Sequence, residues 1–328
     1  MQIELLEILR CPKTGQKLVA KNCEYIENQI ISGMLVSEGG KNEYPIRQYI
    51  PRFVPETNYA DNFGMQWNMF SKTQLDSNSG HSISSDRFWQ ATGWAPTDLK
   101  GKWVLDAGCG AGRFAEVALK AGANVVALDY SSAVDACFAN LKQYPNLHVV
   151  QGDIYALPFQ KEAFPFVYSL GVLQHTPQVT KSFESLPPMV SKGGKLCVDV
   201  YWKRFRTMLH GKYLIRPITK HISQQKLFNI LQKLIPILLP VSQFLGRIPF
   251  LGKFLKRLIP IADYTGVFPL NTTQLKEWAL LDTFDNLAPK YDNPQSITTV
   301  NDWFKKANFT NIEIFHCGHL VGRGIKQG

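Results

Sequence analysis

The sequence predicts an α/β fold built on a parallel sheet covered on both faces, with a small β-rich unit ahead of it and a helical insertion late in the chain. Three observations predict it. From Lys102 onward, short apolar runs alternate with amphipathic helical stretches, the pattern of strands buried on both faces and linked by helices. Three glycines at alternate positions, Gly108, Gly110 and Gly112, sit between the first such run and the first helix. The third observation is a break in composition. Residues 201–262 hold twelve Lys and Arg and no Asp or Glu, leaving 24 basic and 26 acidic residues elsewhere, so one segment supplies the whole net charge of +10.

At 328 residues and 45% apolar content the chain can bury about two domain cores. Charged content of 19% with 12% aromatics excludes a disordered tail. Six cysteines are too sparse for a disulfide scaffold. No uninterrupted apolar run reaches the ~18 residues of a membrane-spanning helix. The opening MQIELLEILR carries Glu4 and Glu7 where a secretory leader is positive and then apolar. A cytoplasmic protein is expected, with peripheral attachment to a membrane left open by the basic segment.

Residues 1–58 read as the β-rich unit: the apolar pairs and triplets Ile30-Ile31, Met34–Val36 and Tyr49-Ile50 are punctuated by Gly15, Gly33, Gly39, Gly40, Pro45, Pro51 and Pro55. Residues 59–98 mix Tyr59, Phe63, Trp67, Phe70, Phe88, Trp89 and Trp94 with helix-compatible polar residues and read as a helical cap on the first part of the main domain, 59–202. Trp103–Leu105 is the first buried strand. Arg113–Lys120 is a helix with Phe114, Val117 and Ala118 on one face and Gly122 as its stop. Strands follow at 124–128, 147–150, 166–170 and 196–200. After the insertion, 203–270, the domain resumes over 271–328 with a helix at 298–306 and strands at 312–315 and 320–325.

The sharpest motif is Val104-Leu105-Asp106-Ala107-Gly108-Cys109-Gly110-Ala111-Gly112. Glycines between a strand and a helix allow a tight turn and close backbone approach to a ligand, and the helix N-terminus offers free N–H groups. Asp129 ends the next strand, where an acid can accept hydrogen bonds from both ribose hydroxyls. Asp153 follows the third strand.

These residues resemble the class I S-adenosylmethionine-dependent methyltransferases over roughly 59–202 and 271–328. The resemblance implies a Rossmann-like, doubly wound, seven-stranded sheet and S-adenosyl-L-methionine as cofactor. It implies that Asp106, Gly108, Cys109 and Gly110 form the cofactor turn, that Asp129 meets the ribose, that Asp153, with Ile154 beside it, meets the adenine amino group, and that Tyr130 and Leu170 also belong to the cofactor site. A nicotinamide dehydrogenase spaces its glycines G-x-G-x-x-G, and here the third comes one position early. Methyl transfer from an activated sulfonium asks the protein to align a nucleophile and exclude water, with a general base only for a protonated acceptor. His175, just past the fourth strand, is the candidate base. Asp199 and Tyr201, at the end of the fifth, face the same edge as catalytic candidates. Arg87, preceded by Asp86, is the candidate partner of the methionine carboxylate, with a surface salt bridge as the competing reading.

The first unit resembles a zinc-ribbon-like module found ahead of some methyltransferase domains, through Leu9–Gly15 and Tyr44–Arg47. A structural zinc site wants four ligands, usually in paired C-x2-C spacing. Here Cys11 is followed by Pro-Lys-Thr and only Cys23 lies near, so a metal-free module is expected.

In the insertion, Leu227, Ile230, Leu231, Leu234, Ile235, Leu238 and Leu239 follow an amphipathic spacing, with Pro236 placed to kink the helix. A second stretch holds Phe250, Leu251, Phe254, Leu255, Leu258 and Ile259. The expectation is a lid closing one wall of an acceptor pocket, with Leu234 and Phe254 inward and the Lys and Arg outward. An anionic membrane surface is an alternative partner. Nucleic acid ranks last, since stacking aromatics are few and no RNA-binding motif is visible. Two functions compete: methyl transfer to a small or lipid-like acceptor, and a non-catalytic cofactor-binding protein that docks on a partner or membrane. The complete set of Asp106, Gly108, Gly110, Asp129 and Asp153 favours the enzyme.

Overall fold

The computed structural model describes residues 1–55, 61–204 and 211–328. Tyr59, Arg206, the side chains of Phe63 and Lys253, and the boundary at 58/59 lie outside the described residues.

A seven-stranded sheet forms the centre. Its strands are β5 (Trp103–Ala107), β6 (Asn124–Asp129), β7 (Leu147–Gln151), β8 (Phe164–Ser169), β9 (Val190–Val200), β10 (Phe309–Cys317) and β11 (His319–Lys326), in the spatial order β10-β11-β9-β8-β5-β6-β7. The five central strands run parallel. The last two form an antiparallel hairpin on the β9 edge, turning at Gly318. The order reverses beside β5, so the carboxyl ends of β5, β6 and β8 open onto a crevice at the switch point.

Alternate residues of the parallel strands enter two separate cores. Leu105, Val126, Leu128, Val150, Val167 and Leu196 face one side with Phe183, Trp303 and Phe304 from the helices Val179–Glu184 and Ile297–Lys306. Val104, Val125, Ala127, Val149, Phe166 and Tyr168 face the other with Phe88, Phe114 and Val117 from the helices Ile83–Thr92 and Arg113–Lys120. This is why the strands read as continuous apolar runs rather than alternating ones.

The N-terminal unit is an antiparallel sheet of β1 (Leu18–Ile26), β2 (Gln29–Ser37), β3 (Glu43–Arg47) and β4 (Ile50–Pro51). The sequence missed β1 because it is an edge strand with most side chains exposed, so no buried face punctuates it. The unit shares its core with the main sheet: Leu5, Leu9, Leu35 and Ile46 belong to the cluster that holds Leu128 and Val150. The Phe53 amide donates to the Gln151 carbonyl at 2.8 Å, tying β4 to the free edge of β7.

The insertion departs from expectation in three ways. The helix Gln224–Gly246 runs unbroken through Pro236 and Pro240. Both prolines are exposed, where a carbonyl without its amide partner can be hydrated. Its inward face is narrower than the seven residues of the amphipathic spacing. Leu227, Leu231, Ile235 and Leu239 are buried against Leu275, Ala279, Leu281 and Phe284 of the helix Thr272–Leu287, while Leu234, like Phe254 further on, is exposed. Spacing alone cannot say which edge of an amphipathic stripe meets the partner. Finally, Lys212 and Arg216 point inward to Asp292, Lys212 Nζ at 2.9 Å from its carboxylate. Among the described residues Gln224–Gly246 is also long and apolar enough to cross a membrane, at mean hydropathy 1.3. One third of its most apolar window is buried within the protein.

Candidate active site

The glycine turn joins β5 to the helix that starts at Arg113. Gly108 has φ +99°, and a Cβ there would overlap Val172. Gly112, at φ +93°, leaves room for Cys137 and Leu141. The amides of Gly108 and Cys109 donate to the Leu128 carbonyl at 2.7 and 2.9 Å, which pins the turn to the end of β6. Gly110 N–H donates to Asp129 Oδ2 at 3.0 Å, and Asp129 Oδ1 accepts from the Ser131 amide and hydroxyl at 2.8 and 2.7 Å. Burial raises the Asp129 carboxyl, and these bonds oppose that rise.

Asp106 lies beneath the turn, 2% exposed. Its Oδ2 has no hydrogen-bond partner among the described residues, and the neighbouring Tyr168 hydroxyl closes no bond of ordinary geometry. Burial pushes the Asp106 carboxyl up to about 8.

A cleft of about 1550 Å³ opens above the turn. Of the residues expected at the site, Arg87, Gly108, Cys109, Gly110, Asp129, Tyr130, Ile154, Leu170, His175 and Tyr201 line it. Asp106, Asp153 and Asp199 lie behind its wall. The Asp153 carboxylate accepts from the Tyr155 amide at 2.9 Å as the cap of a short 3-10 turn, and its neighbours Gly152 and Ile154 reach the cleft instead.

Arg87 pairs with Asp199, its guanidinium 2.7 Å from Oδ2. It does not meet Asp86, which is exposed and accepts from Ser82 Oγ at 2.8 Å. His319 Nδ1 is 3.4 Å from the same oxygen, and Gly171 N–H donates to Asp199 Oδ1. Burial acts to raise the Asp199 carboxyl, but Arg87 and His319 outweigh it and hold it well below the usual carboxylate range. So firmly ionised a group, fully buried, is a poor proton acceptor. Asp199 instead anchors Arg87 and the β8 loop.

His175 stands on the 3-10 turn after β8 and Tyr201 follows β9. Their rings meet edge to face at 5.3 Å. His175 Nδ1 is 3.1 Å from the Tyr291 carbonyl, and Nε2 is 3.9 Å from Asp285 Oδ2. Tyr201 Oη donates to Asp285 at 3.4 Å, and burial, first, then Asp285 hold its phenol well above the usual range.

The rest of the wall was not anticipated. Trp278, Asp282 and Asp285 line one face of the helix Thr272–Leu287, and Tyr264, Val267 and Phe268 come from the end of the insertion. Asp282, raised to about 6 chiefly by burial, accepts from the Tyr264 hydroxyl at 2.5 Å. Arg113 lies over the Phe114 and Trp278 rings at 5.0 and 5.4 Å. The i, i+4, i+7 spacing of Trp278, Asp282 and Asp285 was visible as one polar-aromatic helix face, but nothing local says that it meets the cleft. In the N-terminal unit Cys11 Sγ lies 3.2 Å from Tyr44 Oη, and Cys23 Sγ donates to the Lys21 carbonyl. Among the described residues no three His, Cys, Asp or Glu are grouped to hold a metal.

A sheet of this order, with a glycine turn whose amide reaches an acid at the end of the next strand, is a doubly wound α/β arrangement with a ligand cleft at its switch point. Residues 105–198 match the methyltransferase domain family and residues 2–48 the Trm112p-like protein family. The chain is 30% identical over 137 residues to the ubiquinone biosynthesis O-methyltransferase of Coxiella burnetii (strain Dugway 5J108-111), covering 41% of this chain and 55% of that one. It is 33% identical over 134 residues to the tRNA U34 carboxymethyltransferase of Alteromonas mediterranea, covering 36% and 40%. The chain thus spans about half the length of the first of these relatives. Human N-acetylserotonin methyltransferase in complex with S-adenosylmethionine superposes over 84% of this chain and 61% of that one, at 12% identity and a TM-score of 0.47. The glycine turn and the acceptor Asp129, which both line the cleft, fit S-adenosylmethionine.

Proposed function

We propose that the protein transfers a methyl group to a small or lipid-like acceptor held between the β8 and β9 loops and the end of the insertion. One observation carries the reading: the wall facing His175 is aromatic and acidic, built from Tyr264, Phe268, Trp278, Asp282 and Asp285. Polyanions are disfavoured by such a wall. Of the basic residues that line the cleft, Arg87, Lys120 and Lys212 are paired with Asp199, Glu116 and Asp292, while Arg113 lies over Phe114 and Trp278 and Arg204 over Trp202.

When bound, S-adenosylmethionine supplies an electrophilic methyl group on a sulfonium. Asp129 would hold the ribose hydroxyls, the glycine turn would border the amino-acid end, and Ile154 and Leu170 would meet the flat faces of the base. His175 is assigned the proton. The Tyr291 carbonyl can only accept, so Nδ1 carries the hydrogen and Nε2 is the basic nitrogen of the neutral ring. Asp285, 3.9 Å away, would stabilise the imidazolium formed when Nε2 takes a proton from the acceptor. Tyr201, edge-on, fixes the ring plane. The ubiquinone-type relative methylates oxygen by its name, which agrees with an acceptor that must lose a proton.

The test supplies methyl-tritiated S-adenosylmethionine with either a solvent-extracted metabolite fraction or bulk tRNA. Label is expected in the organic-extractable fraction, reduced about 100-fold or more by His175→Ala. Label in tRNA, or none in either fraction while the cofactor binds, overturns the reading in favour of an RNA enzyme or a non-catalytic binder respectively.

A further inference from the structure

We propose that the outer face of the insertion docks in the plane of an anionic lipid bilayer. This goes beyond the acceptor reading and stands or falls separately from it. The helix Gln224–Gly246 buries one face against Thr272–Leu287 and leaves a second apolar stripe uncovered: Ile230, Leu234, Ile237, Val241 and Phe244, spaced four, three, four and three residues apart. At 100° per residue these five side chains fall within an arc of about 80° and extend for about 21 Å. Ile237 and Phe244 are 63% and 67% exposed. Beyond the helix end the turn 247–251 carries Phe250, fully exposed at φ +61°, and the exposed Leu251. Surface apolar residues scattered singly need no explanation, but a continuous stripe does.

Charge says what covers it. Lys226 and Lys233 flank the stripe on its outward side, and Arg247 and Arg257 follow at the turn and the next helix. These four, with Lys220, are exposed and form no ion pair among the described residues. The basic side chains that are neutralised, Lys212, Arg216 and Lys256, are paired with Asp292 and Asp263 instead. Residues 201–262 contain no acid at all. A second copy of this chain would therefore set lysine against lysine along the stripe, whereas anionic headgroups complement it. An apolar stripe edged by Lys and Arg is the form that lies in a membrane interface. The helix is held there rather than across the bilayer, because Leu227, Leu231, Ile235 and Leu239 remain packed in the domain.

The experiment is sedimentation of the full chain with vesicles of phosphatidylglycerol and phosphatidylcholine, or phosphatidylcholine alone. Two variants accompany it: Ile237→Ser/Phe244→Ser/Phe250→Ser, and Lys226→Glu/Lys233→Glu/Arg247→Glu. All six positions are exposed, so both variants should keep the wild-type melting temperature and response to S-adenosylhomocysteine. Expected is binding to anionic vesicles about ten-fold or more above neutral ones, lost in both variants and weakened at high salt. Equal binding to both vesicles, no binding to either, or a charge variant that still binds overturns the proposal. So does a dimer in solution that the serine variant disrupts while vesicles remain unbound, which would make the stripe an interface between copies.

Discussion

A Gly108→Val protein will show no rise in melting temperature with S-adenosylhomocysteine and will unfold earlier than wild type. Two costs combine at this position. A β-branched residue at φ +99° is strained by about 1–3 kcal/mol, and its side chain must displace Val172, an overpacking that costs about 1–3 kcal/mol more. At about 2–4 °C per kcal/mol for a domain of this size, the transition should fall by roughly 4–24 °C. Binding is lost because Val172, which also lines the cleft, must move, and with it the turn that sets the Gly110 amide on Asp129. Gly193→Ala is the control: φ is +71° there but nothing lies within 4 Å of the new Cβ. It should lose about 1 kcal/mol and bind normally. Thermal melts with and without S-adenosylhomocysteine check both.

The second large effect is expected from Asp199→Ala. Asp199 is fully buried, and removing it strands the Arg87 guanidinium, whose side chain is only 23% exposed. Breaking such a pair from one side costs about 3 kcal/mol or more, because the remaining charge is desolvated without compensation. The pH dependence follows from the direction of the Asp199 shift. Its folded-state carboxyl is depressed below the unfolded value of about 3.9. The stabilisation is therefore complete above about pH 4 and is lost as the pH falls toward the folded value. Denaturant unfolding from pH 6 downward should show wild-type stability dropping below about pH 4, with a shallower drop in Asp199→Asn. Equal slopes in both would mean that the pair contributes little.

The parts of this protein that were legible in its sequence are those decided locally. Five parallel strands declared themselves because each is buried on both faces and so apolar throughout. The glycine turn was legible because Gly108 and Gly112 occupy backbone conformations that few other residues adopt, and the end of the next strand because its apolar run stops at Asp129. What was missed depends on long-range placement. The orientation of the 224–246 helix turned on whether Leu234 or Ile235 met the helix 272–287, and both belong to the same amphipathic spacing. Arg87 and Asp199 are 112 positions apart, and no local signal joins them. Nor could the sequence say that Trp278, Asp282 and Asp285 would be brought opposite His175, since that follows from how the insertion returns to the domain.

Calorimetric titration of the purified protein with S-adenosylhomocysteine, with NADH, and with Asp129→Ala in the cell tests the cofactor site most directly. One equivalent of S-adenosylhomocysteine should bind per chain, NADH should give no heat of binding, and Asp129→Ala should weaken affinity about 10- to 100-fold through loss of charge-assisted hydrogen bonds. Binding of NADH without binding of S-adenosylhomocysteine, or full affinity in Asp129→Ala, would contradict the assignment of the cleft.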